Sequence, residues 1–137
     1  MAIDFDALLS KAENTTASLP SGAAMTFVFW AYADGRGEAN EGRIITLPEA
    51  GGTTIRMNPT TSGEMELLWD FTGGGSVDGR WEWPWSLNAW HATAVTYDQS
   101  ATTNDPAVRV DFALAAVSET NTPVGTGAAG TGGVCIG

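Results

Sequence analysis

Apolar residues recur at every second position along this chain more often than at every third or fourth, the period of half-buried strands rather than of helices. Ile3 and Phe5 alternate with Asp4 and Asp6, predicting a strand over residues 2–7. A second strand is predicted over 11–19, closed by the turn at 19–22. Residues 26–32, Thr-Phe-Val-Phe-Trp-Ala-Tyr, are apolar at nearly every position, which predicts a central strand covered on both faces. Short strands are expected at 43–47 and 53–58. Over 64–71, Met65, Leu67, Trp69 and Phe71 read as inward and Glu64, Glu66 and Asp70 as outward. The glycines at 73–75 and the Asp78-Gly79 pair predict turns, and 80–85 predicts another strand. Thr93, Val95 and Tyr97 share one face of an extended segment, with Ala92, Ala94 and Thr96 on the other. After a polar loop at 98–106 the alternation resumes through Val108, Val110, Phe112 and Leu114. Beyond Leu114 it is lost, and only 134–136 predicts a further strand. The chain reads as all-β.

Residues 87–111 carry the most specific signal. Trp90-His91 opens a strand that reaches Val95 and ends in Tyr97-Asp98; a loop follows, then Val108-Arg109-Val110-Asp111. This segment resembles the laminin G-like, concanavalin A-like jelly-roll family, in which a Trp-His strand runs into Tyr-Asp, a loop, and a strand ending in Asp-Gly or Asn-Gly. Trp30-Ala31 falls where that family carries Ser-Ala-Trp, and 43–47 is similar to its Gly-Arg-Ile element. The resemblance implies a single antiparallel β-sandwich of jelly-roll type over 1–137, with Trp90 in the core and His91 ordering nearby loops. It also implies that the family's last strands are missing. Sheet edges left open in this way predict either self-association, with strands supplied between chains, or a shortened gene product. One departure stands out: Asp111 is followed by Phe112, where the family has glycine. Phenylalanine does not take a positive φ comfortably, so the strand from Val108 is expected to run straight on to Ala116.

The 137 residues suffice for one sizeable core. Six basic and 16 acidic residues give a net charge of −10, which disfavours nucleic acid and anionic membranes as partners and reads foremost as a device for solubility. The N-terminal segment has neither a basic stretch nor a long apolar run, so no secretory signal or membrane insertion is expected. Cys135 is the only cysteine, which excludes an intrachain disulfide and suggests a small buried residue. Small chains of this type resemble bacteriophage proteins displayed as decoration or adhesion modules. That resemblance implies a virion-surface or extracellular location, with a cell-surface or mucus glycan, a capsid protein or a sister subunit as partner.

Trp81, Trp83 and Trp85 alternate with Arg80, Glu82 and Pro84, so in a strand their indoles point to one face, about 6–7 Å apart. Such a row suits the apolar faces of successive sugar rings, and these three are the candidate carbohydrate-binding residues. They equally suit the core, where large aromatic side chains stabilise small domains. Pro84 lacks a ladder donor and places this strand at an edge or near its end.

His91 is the only histidine and has no serine or cysteine signature beside it, so a structural role is expected rather than a triad or a histidine metal site. Glu64 and Glu66 do not complete a glucanase pattern: the run Glu-Met-Glu-Leu-Leu-Trp-Asp lacks the second catalytic glutamate of related enzymes, and no enzymatic activity is expected. Calcium is the one cofactor considered. Asp34, beside Glu38, Asn40 and Glu41, and Asp98, beside Asn104 and Asp105, offer the oxygen ligands it prefers, without the spacing of an EF-hand. The expected function is that of a non-catalytic carbohydrate-binding or adhesion module, with a structural virion protein that binds protein as the alternative.

Overall fold

The computed structural model describes residues 12–14, 24–36, 43–48, 54–60, 62–127 and 134–136. Among these residues there is no helix. The strands are β1 (Ala12–Asn14), β2 (Ala24–Tyr32), β3 (Ile45–Pro48), β4 (Thr54–Pro59), β5 (Glu64–Trp69), β6 (Phe71–Val77), β7 (Gly79–Pro84), β8 (Trp90–Asp98), β9 (Ala107–Val110), β10 (Ala113–Leu114), β11 (Ser118–Asn121), β12 (Val124–Gly127) and β13 (Val134–Ile136). A seven-stranded sheet runs in the order β1-β13-β3-β4-β5-β7-β11, a four-stranded sheet in the order β10-β9-β8-β2, and β12 pairs with β6 as a ribbon. All pairings are antiparallel, and the fold is the β-sandwich that the alternation predicts.

The core lies between the two larger sheets. Ile45, Leu47, Met57, Met65, Leu67, Trp69, Trp81 and Trp83 come from the first, and Met25, Val95, Tyr97 and Val108 from the second. Aromatic contacts join them: Trp69 meets Phe27 at 6.2 Å and Tyr97 at 4.9 Å between ring centroids, and Trp81 meets Tyr97 at 4.8 Å. Inclined rings at such distances add about 0.5–1.5 kcal/mol per pair to the benefit of burial. Three indole N–H groups find acceptors at the margins of the core: Trp69 donates to Gln99 Oε1 (3.1 Å), Trp81 to Asp105 Oδ1 (2.9 Å) and Trp85 to Thr93 Oγ1 (3.2 Å). Gly79 sits across from Trp69 on β5. A Cβ there would lie 2.2 Å from the Trp81 ring, so the absence of a side chain is what seats that indole.

Several expectations change. Among the described residues β2 pairs only with β8, at the end of the four-stranded sheet, and it is not covered on both faces: its burial alternates, with Met25, Phe27, Phe29 and Ala31 toward the core and Thr26, Val28, Trp30 and Tyr32 outward. Residues 71–77, 118–121 and 124–127 form strands although they lack apolar alternation, because a β-ladder needs only backbone partners. Asp70 is buried rather than outward. The chain does turn at Asp111-Phe112: their φ values are 50° and 69°, and Ala113 and Leu114 fold back onto Val110 and Arg109. The glycine-type turn is thus made with a phenylalanine. Pro84 ends β7, just beyond the stretch that β11 covers. The predicted strand over 2–7 and the turn at 19–22 lie outside the described residues.

Candidate functional site

Trp81, Trp83 and Trp85 have relative exposures of 0, 0 and 1%. No indole face is left on which a sugar could stack, and the predicted platform is corrected to core. The alternation puts all three on one face, as predicted, but that face turns toward the four-stranded sheet.

A different aromatic group occupies the solvent side. Trp30 (73% exposed), Tyr32 and Trp90 (54% exposed) meet on the outer face of the four-stranded sheet. Trp90 lies opposite Tyr32 in the ladder, and its ring is 5.7 Å from both Trp30 and Tyr32. Trp90 is therefore not the core residue that the family resemblance implies. It shares the parity of Ala92, Ala94 and Thr96, and Thr96, which meets Thr26 through their hydroxyls at 2.9 Å, belongs to the wet face. That parity is the sequence signal which could have located this group.

Beside the aromatic group runs a shallow depression. Its lining includes Val28, Ala92, Ala94, Arg109 and Phe112. Val28, Ala94 and Arg109 are successive neighbours across β2, β8 and β9, so the alanines form a low floor between taller side chains. Phe112 stands at one side with 88% of its surface exposed, held there by the turn, and Arg109 Nη1 donates to the Phe112 carbonyl at 3.2 Å.

His91 ties the 85–89 loop to the turn at Asp111 behind this face. Its Nδ1 donates to Asp111 Oδ2 at 2.7 Å, and its Nε2 lies 2.9 Å from Ser86 Oγ and 3.1 Å from Ser86 O. The second Asp111 oxygen accepts the Ala92 N–H at 3.0 Å, and the Asp111 N–H donates to Ala92 O at 2.8 Å. The hydrogen bond from His91, followed by that from Ala92, holds the Asp111 carboxyl below the usual carboxylate range. Trp85 packs on the imidazole at 4.9 Å, and Asn88, at φ 60°, donates its N–H to Ala33 O at 2.8 Å. The 85–89 loop is thereby fixed beside the end of β2, where Tyr32 meets Trp90.

Carboxylate, imidazole and hydroxyl in series have the order of a nucleophile relay, which the sequence did not signal. A relay also needs N–H donors aimed at a developing oxyanion. Here the Trp85 and Asn88 amides, on either side of the Ser86-Leu87 pair, are donated to Gly63 O and Ala33 O, and Nε2 faces the serine's own carbonyl as well as its hydroxyl. The arrangement links the 85–89 loop to the turn at Asp111.

The two calcium candidates belong to separate loops at opposite ends of the β2–β8 pair. Asp98 lies opposite Ala24 at one end of the β2–β8 pair, whereas Asp34 follows Tyr32 at the other end, eight strand steps or about 27 Å away. Near Asp98 the oxygen ligands are engaged elsewhere: Asp98 Oδ1 accepts the Ser100 N–H at 2.9 Å, Asn104 Nδ2 donates to Asp98 O at 2.9 Å, and Asp105 holds the Trp81 indole. Hydrogen bonds from Ser100 keep the Asp98 carboxyl below its usual range. Among the described residues no three histidine, cysteine or carboxylate groups cluster. Glu38, Asn40 and Glu41 lie outside the described residues.

Glu66 faces Glu82 across β5 and β7, and the Glu82 carboxyl is pushed up, first by burial and then by Glu64 and Glu66. Arg80 approaches Glu66 at 3.9 Å.

Fold and site together define an antiparallel β-sandwich with an aromatic, solvent-facing sheet. Compared with protein-family models, with curated proteins and with solved structures, the chain matches none.

Proposed function

We propose that this protein is a non-catalytic binding module that recognises carbohydrate through the outer face of its four-stranded sheet. The observation that carries the reading is the contact group of Trp30, Tyr32 and Trp90 on an exposed strand pair. Exposed indoles lose stabilising burial unless a partner covers them, and the C–H faces of sugar rings are such partners. The alanine-floored depression beside them offers room for a ring to lie flat, and the His91–Asp111–Ser86 tie keeps the surface preorganised, which limits the entropy lost on binding. The proposed likeness to laminin G-like modules rests on the sequence of the β8–β9 hairpin, where His91 meets Asp111, and display on a virion surface is proposed from that likeness alone.

Binding to a broad glycan array tests the reading. A defined glycan class bound by the native chain and lost in both Trp30→Ala and Trp90→Ala is expected, with Trp83→Phe retaining the signal. An array on which the native chain binds nothing overturns it.

A second reading, a structural module that docks protein, draws on the same face: Val28, Phe112 and Leu114 add exposed apolar surface around the aromatic group. Concentration-dependent self-association abolished by Trp30→Ala, with a blank array, is its signature.

A further inference from the structure

Arg109 is the group that gives this face a chemical preference. It stands on β9 next to the alanine floor, opposite Ala94, and its guanidinium is exposed. One Nη1 bond, to the Phe112 carbonyl, braces the side chain along the turn. Among the described residues no carboxylate forms an ion pair with it, in a chain whose formal charge is −10. Arg80 contrasts with it, since Glu66 lies 3.9 Å away. A guanidinium has five N–H donors in a planar fork that matches a carboxylate. With one of them on Phe112 O, the others are left for a ligand.

The placement adds to this. Arg109 and Val28 flank the floor from strands two ladder spacings apart, about 9.6 Å, which is the scale of one sugar ring with its substituents. Trp30 lies one outward step along β2 from Val28, and Phe112 stands beside Arg109. A ring lying on Ala92 and Ala94 therefore has aromatic surface along its length and a cation at one flank. The net negative charge of the chain does not cancel this attraction at close range, because salt screens charges beyond about 8 Å at physiological ionic strength.

We infer that the preferred ligand is an acidic carbohydrate, a polysaccharide carrying uronate carboxylates, with Arg109 pairing the carboxylate while the aromatic group stacks on the rings. This rests on the carbohydrate reading above.

The test is affinity electrophoresis and calorimetry of the whole chain against polygalacturonate, alginate and hyaluronan, with galactan, dextran and β-glucan as neutral counterparts. At least one polyuronate is expected to bind more tightly than every neutral polymer. Arg109→Gln is expected to weaken that binding about tenfold, the scale of one charge-assisted pair, and to flatten its salt dependence. Arg80→Gln, on the other sheet, leaves it unchanged. Melting curves of Arg109→Gln establish that the variant is folded. Neutral polymers bound in preference, or polyuronate binding that Arg109→Gln leaves intact, refutes the acidic preference and spares the carbohydrate reading. No binding to any of the six also refutes the acidic preference, and the glycan array then decides the carbohydrate reading.

Discussion

Replacing Phe112 with glycine should make the protein more stable and a poorer binder at once. Phe112 holds a φ of 69° in the turn between β9 and β10. A residue with a Cβ is disfavoured in that region by about 1–2 kcal/mol relative to its ordinary conformations, and glycine is not. Against this, glycine loosens the unfolded chain and gives back about 0.4–1 kcal/mol. Little else changes, because the ring is 88% exposed and the Arg109 contact is to the backbone oxygen. The net gain is about 0.5–1 kcal/mol, which for a chain of this size raises Tm by about 2–3 °C. Phe112→Ala is the control: it removes the ring but keeps the Cβ, and its Tm should stay within about 1 °C of the native value. Thermal and urea unfolding followed by circular dichroism read both. Polysaccharide affinity should fall in both variants, since each loses an aromatic wall of the depression. A glycine variant no more stable than the alanine variant would refute the argument, because the two differ chiefly in what the positive φ demands.

Gly79→Ala drives a methyl into the Trp81 ring, and a buried indole has no room to retreat, so a loss of about 1–3 kcal/mol in urea unfolding is expected. Unchanged stability would show that Trp81 is not tightly seated. The Asp111 carboxyl sits below its usual range in the folded protein, so its contribution is present above the unfolded value near pH 4 and is lost as pH falls through the folded one. Asp111→Asn should accordingly make Tm depend less steeply on pH between about 5 and 3; an identical slope would mean that the His91 tie does not form in solution. A fluorophosphonate probe is expected to leave Ser86 unlabelled, and mass-spectrometric detection of an adduct on Ser86 would overturn the non-catalytic reading.

Much of the fold was legible because burial in a strand is periodic. Met65, Leu67 and Trp69 against Glu64 and Glu66, or Val95 and Tyr97 against Thr96, announce an inner and an outer face within a few residues. The segments at 118–121 and 124–127 were not legible, since their strands are made by backbone pairing with β7 and β6 and need no apolar side chain. The Asp111-Phe112 turn escapes sequence reasoning for a related reason. Local preference argues against phenylalanine at positive φ, but the Ala92 backbone and the His91 imidazole hold Asp111 in place, and together with the β9–β10 pairing they outweigh it.

The candidate site divides along the same line. The amino-acid sequence by itself determined that Trp81, Trp83 and Trp85 share a face and that residues 26–32 are apolar on both of theirs, because side-chain direction in a strand is a local property of the pleat. Which faces meet solvent was decided only by the tertiary structure. Stacking the two sheets covers the β7 indoles completely, while pairing β2 with β8 leaves Trp30, Tyr32 and Trp90 outside. An alternating pattern states that a strand has two sides; only the partner packed against it settles which side is the core.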